Sequence, residues 1–108
     1  MSKFDDFAQA VLSSSKDLAK TTLEELVQEA TTDTQSYLDK SKADLQRWCV
    51  QLAEQKLTQA EFADLVRGRA ALAEMHALTL AGLALTRIQR FRDGLIEIVI
   101  DTAFKTFL

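Results

Sequence analysis

Lys56-Leu57-Thr58-Gln59-Ala60-Glu61-Phe62 is the stretch that divides this chain. Thr58 and Glu61 have the spacing of a capping box, in which a hydroxyl and a carboxylate each satisfy a free backbone N–H at a helix start. Leu57 and Phe62 stand where a hydrophobic staple closes over that start. A turn at 56–58 with a new helix after it is the reading that decides the fold.

On both sides of the turn an apolar stripe returns every eleven residues. Before it lie Phe4, Ser15, Leu26, Tyr37 and Trp48, with Ala8, Ala19, Ala30, Ser41 and Leu52 beside them. After it lie Phe62, Ala73, Ala84 and Leu95, with Val66, Ala77, Ile88 and Val99. Eleven residues make three turns at about 3.67 per turn, so the stripe runs almost straight along a helix with a slight right-handed drift. Ser2, followed by Asp5 and Asp6, reads as the first helix start, because a serine oxygen caps free N–H groups and acids suit the positive end of the dipole. The expected elements are a helix over about 3–55, the turn, and a helix over about 59–106.

Some places within these spans are weaker. Ser13-Ser14-Ser15 and Thr31-Thr32-Asp33-Thr34 have poor helix propensity, and a break near 31–35 is the alternative to one long first helix. Thr21 and Glu24 have capping-box spacing inside the same span. In the second helix Gly94 is the most plausible end point, since Ile96-Glu97-Ile98-Val99-Ile100 also reads as a strand. A lone strand has no partner here, so the segment is kept helical.

Two helices of this length form an antiparallel hairpin about 75 Å long. If residue i faces residue 114−i, Trp48 meets Val66, Tyr37 meets Ala77, Ala30 meets Ala84 and Leu26 meets Ile88. Several pairs set a large side chain against a small one, as interdigitating layers require. The hairpin cannot use all its apolar residues, however. Toward the C-terminus only Asp93, Glu97, Asp101 and Lys105 form a polar line, and the rest of the circumference is apolar. The most economical cover is a second copy, in a homodimer or higher homo-oligomer, and a different protein partner is the second possibility. The expected architecture is therefore all-α: a single helical-hairpin domain over 1–108 that assembles into a four-helix bundle, as a dimer. Leu85, Ile96, Ile100, Phe104 and Phe107 are the expected oligomer interface.

Composition bounds the partners. The net charge is −3, with hydrophobic residues at 47%, no proline and three glycines. Neither half is basic, so a nucleic-acid partner is not expected. The longest weakly polar stretch, 77–86, is about half of a membrane span, so no transmembrane segment is expected. The N-terminal Met-Ser-Lys-Phe-Asp-Asp lacks the regions of a signal peptide, and Cys49 is the lone cysteine; both suit a cytoplasmic location. Beside Trp48 on the striped face, Cys49 reads as a small buried hydrophobe.

Paired chemistry is missing from the pattern. His76 is the sole histidine and supplies no recognisable zinc site, so it reads as a partly exposed helix residue. Glu24, Glu25, Glu29 and Asp33 read as a solvated acidic face, with no Glu-x-x-His of the di-metal type. Arg87, Arg90 and Arg92 surround Phe91 and form the only basic cluster. They are candidates for anion or headgroup contact, against a plain reading in which Arg90 pairs with Asp93. Arg67 and Arg69 read similarly, with Asp64 beside Arg67. No cofactor, metal or catalytic residue is expected.

Eleven-residue repeats, small Ala, Thr and Ser positions and the lack of proline make the segment from Phe4 to Trp48 similar in style to phasins and related granule coats. The resemblance is compositional, covers under half the chain and rests on no specific motif. It implies a competing function, an amphipathic protein coating a lipid or hydrophobic-inclusion surface with peripheral lipid contact. The second half departs from it by carrying more large aliphatics than a reversible coat needs. The leading expectation is a non-enzymatic structural or protein-interaction module that self-associates through its apolar seam.

Overall fold

The computed structural model describes residues 2–108. Helix α1 spans Lys3–Thr22, α2 Val27–Ala53, α3 Gln59–Gly68, α4 His76–Leu80 and α5 Leu85–Phe107, with a 3-10 turn at Ala70–Leu72. No strand occurs among the described residues, and the segment after Gly94 is helical.

The local start signals are in place. Ser2 Oγ accepts from the N–H of Asp5 at 3.2 Å. Thr58 N–H donates to Glu61 Oε1 at 2.9 Å, and Glu61 N–H donates to Thr58 Oγ1 at 3.1 Å, which completes the capping box. That bond from the Thr58 N–H holds the Glu61 carboxyl below its usual range.

The two unbroken helices do not form. The first breaks at 23–26, and the second breaks at 69–75 and again at 81–84. The principal extents are 42 × 27 × 21 Å, far short of a 75 Å hairpin. The suspected weak spot at 31–35 is continuous helix. There Thr31, Thr32 and Thr34 donate their hydroxyls to the carbonyls of Val27, Gln28 and Ala30 at 2.8, 3.0 and 2.9 Å, so they no longer compete with the helix. Thr21 caps nothing; its hydroxyl donates to Asp17 O.

Burial explains the break. Glu24 adopts a left-handed backbone at φ 57°, a cost of about 1–2 kcal/mol for an L-residue. In return α1 folds back onto α2, and Leu23 is buried in the corner. Each large aliphatic side chain buried contributes about 1.5–3 kcal/mol, so a few such residues outweigh the turn.

Two contacts keep the expected register and others depart from it, since Asp33 meets Ala77 and Leu78, not Ala81. Helix α1 lies against α5, and α2 lies against α3 and α4. Phe7 faces Phe107 with ring centroids 6.0 Å apart, and Lys40 Nζ lies 3.4 Å from Glu74 Oε1, both as residue i with residue 114−i. Two further contacts join α3 to α5. Phe62 on α3 meets Phe104 on α5 at 5.9 Å, and Arg67 on α3 grips Glu97 on α5 through two hydrogen bonds of 2.8 and 3.2 Å. The chain thus uses its own helices α1 and α3 to cover much of the surplus apolar surface of α5.

Helix α5 passes through Gly94 without a break. A Cβ there would lie 2.7 Å from Leu18 Cδ2, so the missing side chain lets α1 and α5 approach closely.

Candidate functional site

Most of the expected interface lies inside the fold. Ile96 and Ile100 are only 4% and 3% exposed, in one core with Phe91, Leu95 and Val99. Phe104 and Phe107 are half-buried against that core, packed on Phe62 and Phe7. Leu85 alone of the five is open, at 67% exposure. The physical reason is that α1 and α3 pack on α5 and take the place of the second copy expected to cover it.

The two most open large apolar side chains of the described residues, Leu80 and Leu85, stand on one turn. Thr79-Leu80-Ala81-Gly82-Leu83-Ala84-Leu85-Thr86 joins α4 to α5 and carries no charge. Leu80 is the extreme, at 88% exposure. Gly82, at φ 83°, makes the reversal that ends α4, a conformation L side chains rarely adopt. Leu83 turns back against the core, while Leu80 and Leu85 stay in water.

This leucine turn is held firmly from below. Helix α4 is a five-residue helix, too short to persist alone. Asp33, in the middle of α2, accepts the N–H groups of Ala77 and Leu78 at 2.8 and 2.9 Å, one on each carboxylate oxygen. It thereby caps α4 across the fold and satisfies donors at the positive end of the helix. Asp33 is buried, which corrects its reading as part of a solvated acidic face. Its spacing from Ala30 and Tyr37 already places it on the inner side of α2. On the other flank, Arg87 Nη2 donates to Thr22 O at 3.0 Å and ties α5 to the C-terminus of α1.

Beside the turn is a hollow of about 290 Å³, lined by Leu23, Glu24, Glu25 and Leu26 on one wall and Ala81, Gly82, Leu83 and Arg87 on the other. Glu24 and Glu25 are exposed. Arg90, one turn further along α5, is exposed and makes no ion pair among the described residues. Asp93 stands near Arg92 at 3.8 Å and not with Arg90. The three arginines therefore differ: Arg87 is engaged with backbone, Arg92 is half-buried, and Arg90 is exposed.

The remaining candidates are structural. Burial pushes the Cys49 thiol up to about 12, which suits a packed hydrophobe and not a nucleophile. His76 is well exposed and bonds to Glu74, whose carboxyl is held below its usual range by His76 and then by Lys40. Glu97, not Asp64, is the main partner of Arg67 and raises its pKa. Arg69 reaches Asp44 at 3.7 Å. Among the described residues no three His, Cys, Asp or Glu side chains converge to hold a metal ion. No described helix is long and apolar enough to cross a membrane.

Against protein-family models, curated proteins and solved structures, the chain finds no match. The phasin-like style of the first half is thus a likeness of composition alone.

The turn carries two signals in the sequence, the charge-free run and the glycine near its centre. Leu80 stands off the eleven-residue stripe, but so do the buried Leu38, Leu45 and Leu78, so spacing alone does not single it out.

Proposed function

We propose that this protein is a non-enzymatic interaction module that self-associates through the leucine turn. One observation carries the reading. Leu80 and Leu85 stand largely in water on a turn fixed by Asp33 and Arg87, when most other large apolar side chains are packed. Exposed apolar side chains held in place cost burial energy that a partner surface recovers. Assembly by this end replaces assembly by the α5 seam, since Ile96 and Ile100 are already covered. A cytoplasmic location belongs to the same reading.

Light scattering over a range of concentrations tests it. The expected result is association that the double change Leu80→Glu, Leu85→Glu abolishes while helicity stays intact. A monomer at every concentration would remove the reading. A second reading, an amphipathic surface coat, is favoured by the exposed Arg90 on the same helix as the exposed Leu85, since anionic headgroups attract basic side chains. Flotation of the protein with anionic vesicles, lost in the same double variant, would support that reading instead.

A further inference from the structure

We infer that the corner at 23–26 is a hinge, and that two copies exchange α1 across it to form a dimer in which Lys3–Ala53 is one continuous helix. The inference does not use the leucine turn and goes beyond the self-association proposed above. Its basis is a contrast among the corners of the chain. The turn between α4 and α5 has Gly82 at φ 83°, a residue that suits the reversal and weakens a helix. The turn into α3 is fixed by the capping box of Thr58 and Glu61. The corner at 23–26 has neither device. It holds Leu23, Glu24, Glu25 and Leu26, all residues of good helix propensity. Glu24 takes a left-handed backbone there at φ 57°, and no side chain caps the start of α2.

Straightening the corner repairs it. In the bent chain the N–H groups of Glu24 and Glu25 donate to Ala19 O and Leu23 O. In a continuous helix they reach the carbonyls of Lys20 and Thr21, and the left-handed residue disappears. Thr22 O exchanges its bond from Arg87 for one from the Leu26 N–H. Ser15 and Tyr37 stand eleven residues to either side of Leu26, so the apolar stripe stays in phase through the corner. What straightening removes within one chain is the packing of α1 on α2 and α5. A second copy returns it. Two straight helices laid antiparallel about a two-fold axis near residue 25 set α1 of each copy on α2 and α5 of the other. The packed residues keep the same kinds of neighbour, the hinge alone differs, and the two-fold closes the assembly at two copies. Phe7, Val11 and Ala19 must undock before α1 can exchange, so the two forms interconvert slowly.

Distance within one chain tests the exchange. Spin labels at Lys3→Cys and Gln46→Cys, in a Cys49→Ala chain, report on the hinge, because both positions are exposed and line one hollow of the bent form. In the straight form they stand on one helix, roughly 65 Å apart. The labelled chain is refolded at high concentration with an excess of unlabelled chain, so that a dimer holds one labelled copy, and the dimer is separated by size. The expected result is the long distance in the dimer and a short one in the monomer. Glu24→Gly relieves the bent backbone and weakens the straight helix at both hinges, so it should lower dimer association on the order of a hundredfold. Glu24→Ile, which a left-handed backbone tolerates less, should raise it. A dimer that shows only the short distance overturns the inference; if Leu80→Glu, Leu85→Glu also dissolves that dimer, the leucine-turn reading stands without it. A long-distance dimer that survives those leucine changes supports exchange and removes the leucine turn as the cause of assembly. The absence of any dimer, in the wild type and in Glu24→Ile alike, overturns exchange as well.

Discussion

Asp33 holds Leu78 by its main chain, with Oδ2 accepting the Leu78 N–H at 2.9 Å across forty-five positions of sequence. The companion bond to Ala77 makes the carboxylate a helix cap supplied from another helix. Replacing it by alanine leaves two donors without a partner, one of them buried. Asp33→Ala should lower stability by about 3 kcal/mol in urea unfolding. Asp33→Asn keeps one acceptor and should lose less. Amide exchange at 77–80 should rise more than exchange in α5, because the lost bonds anchor only α4.

Leu18 and Gly94 form a second tight relationship. Alanine in mid-helix gains about 1 kcal/mol over glycine, and at position 94 that gain meets the Leu18 methyl at 2.7 Å. Gly94→Ala alone should change stability little, as the two effects oppose. In a Leu18→Ala background the same change should stabilise by about 1 kcal/mol. A double-mutant cycle reads the difference as coupling. Gly94→Val, with more bulk against Leu18, should destabilise in either background.

Gln55 and Met75 share a left-handed backbone, at φ 62° and 55°, yet glycine should act oppositely at the two sites. Gln55 is exposed after α2, so Gln55→Gly should stabilise by about 1 kcal/mol. Met75 is buried beside α4, and Met75→Gly gives up about 2 kcal/mol of burial, more than the relief of strain returns. Thermal unfolding of the two variants should therefore move in opposite directions.

The Cys49 thiol is pushed by burial from a usual value near 9 up to about 12. The unfolded chain releases this proton first, so stability is full below pH 9 and falls as pH rises toward 12. Tyr37, also raised by burial, adds to the fall in the same direction. Cys49→Ala should flatten part of this alkaline slope. At pH 8 the native thiol should resist iodoacetamide, and alkylation should proceed only at the rate of unfolding. Rapid labelling of the folded protein would contradict the assigned burial.

The inner face of the helices was legible from spacing alone. Ala19, Ala30, Tyr37, Trp48, Leu52, Phe62, Val66, Ala73, Ile88, Leu95 and Val99 all fall on the eleven-residue stripe and all are buried; Ala84 falls on it and is exposed. The capping box at Thr58 and Glu61 was legible because it is made within four residues. The break after Thr22 was not, because no glycine or proline marks it. Leu23 and Leu26 keep their apolar character on both sides of the corner, so the stripe reads through it. Only the energy of covering α5 decides the break, and that energy belongs to the whole fold. The same holds for the candidate site. Leu85 was visible as surplus apolar surface, but only the packed structure separates it from Ile96 and Ile100.

The pairing of α1 with α5 has a consequence for synthesis. Phe7 and Phe107 meet at 6.0 Å, so the first helix made must wait for the last before its apolar side is covered. Contacts of such sequence separation form late and slow the search for the native state. A ribosome-bound chain that has not yet released α5 therefore carries the buried side of α1, with Phe7, Val11 and Ala19, without the cover of α5. For that interval the incomplete chain exposes apolar helix surface that the finished fold covers.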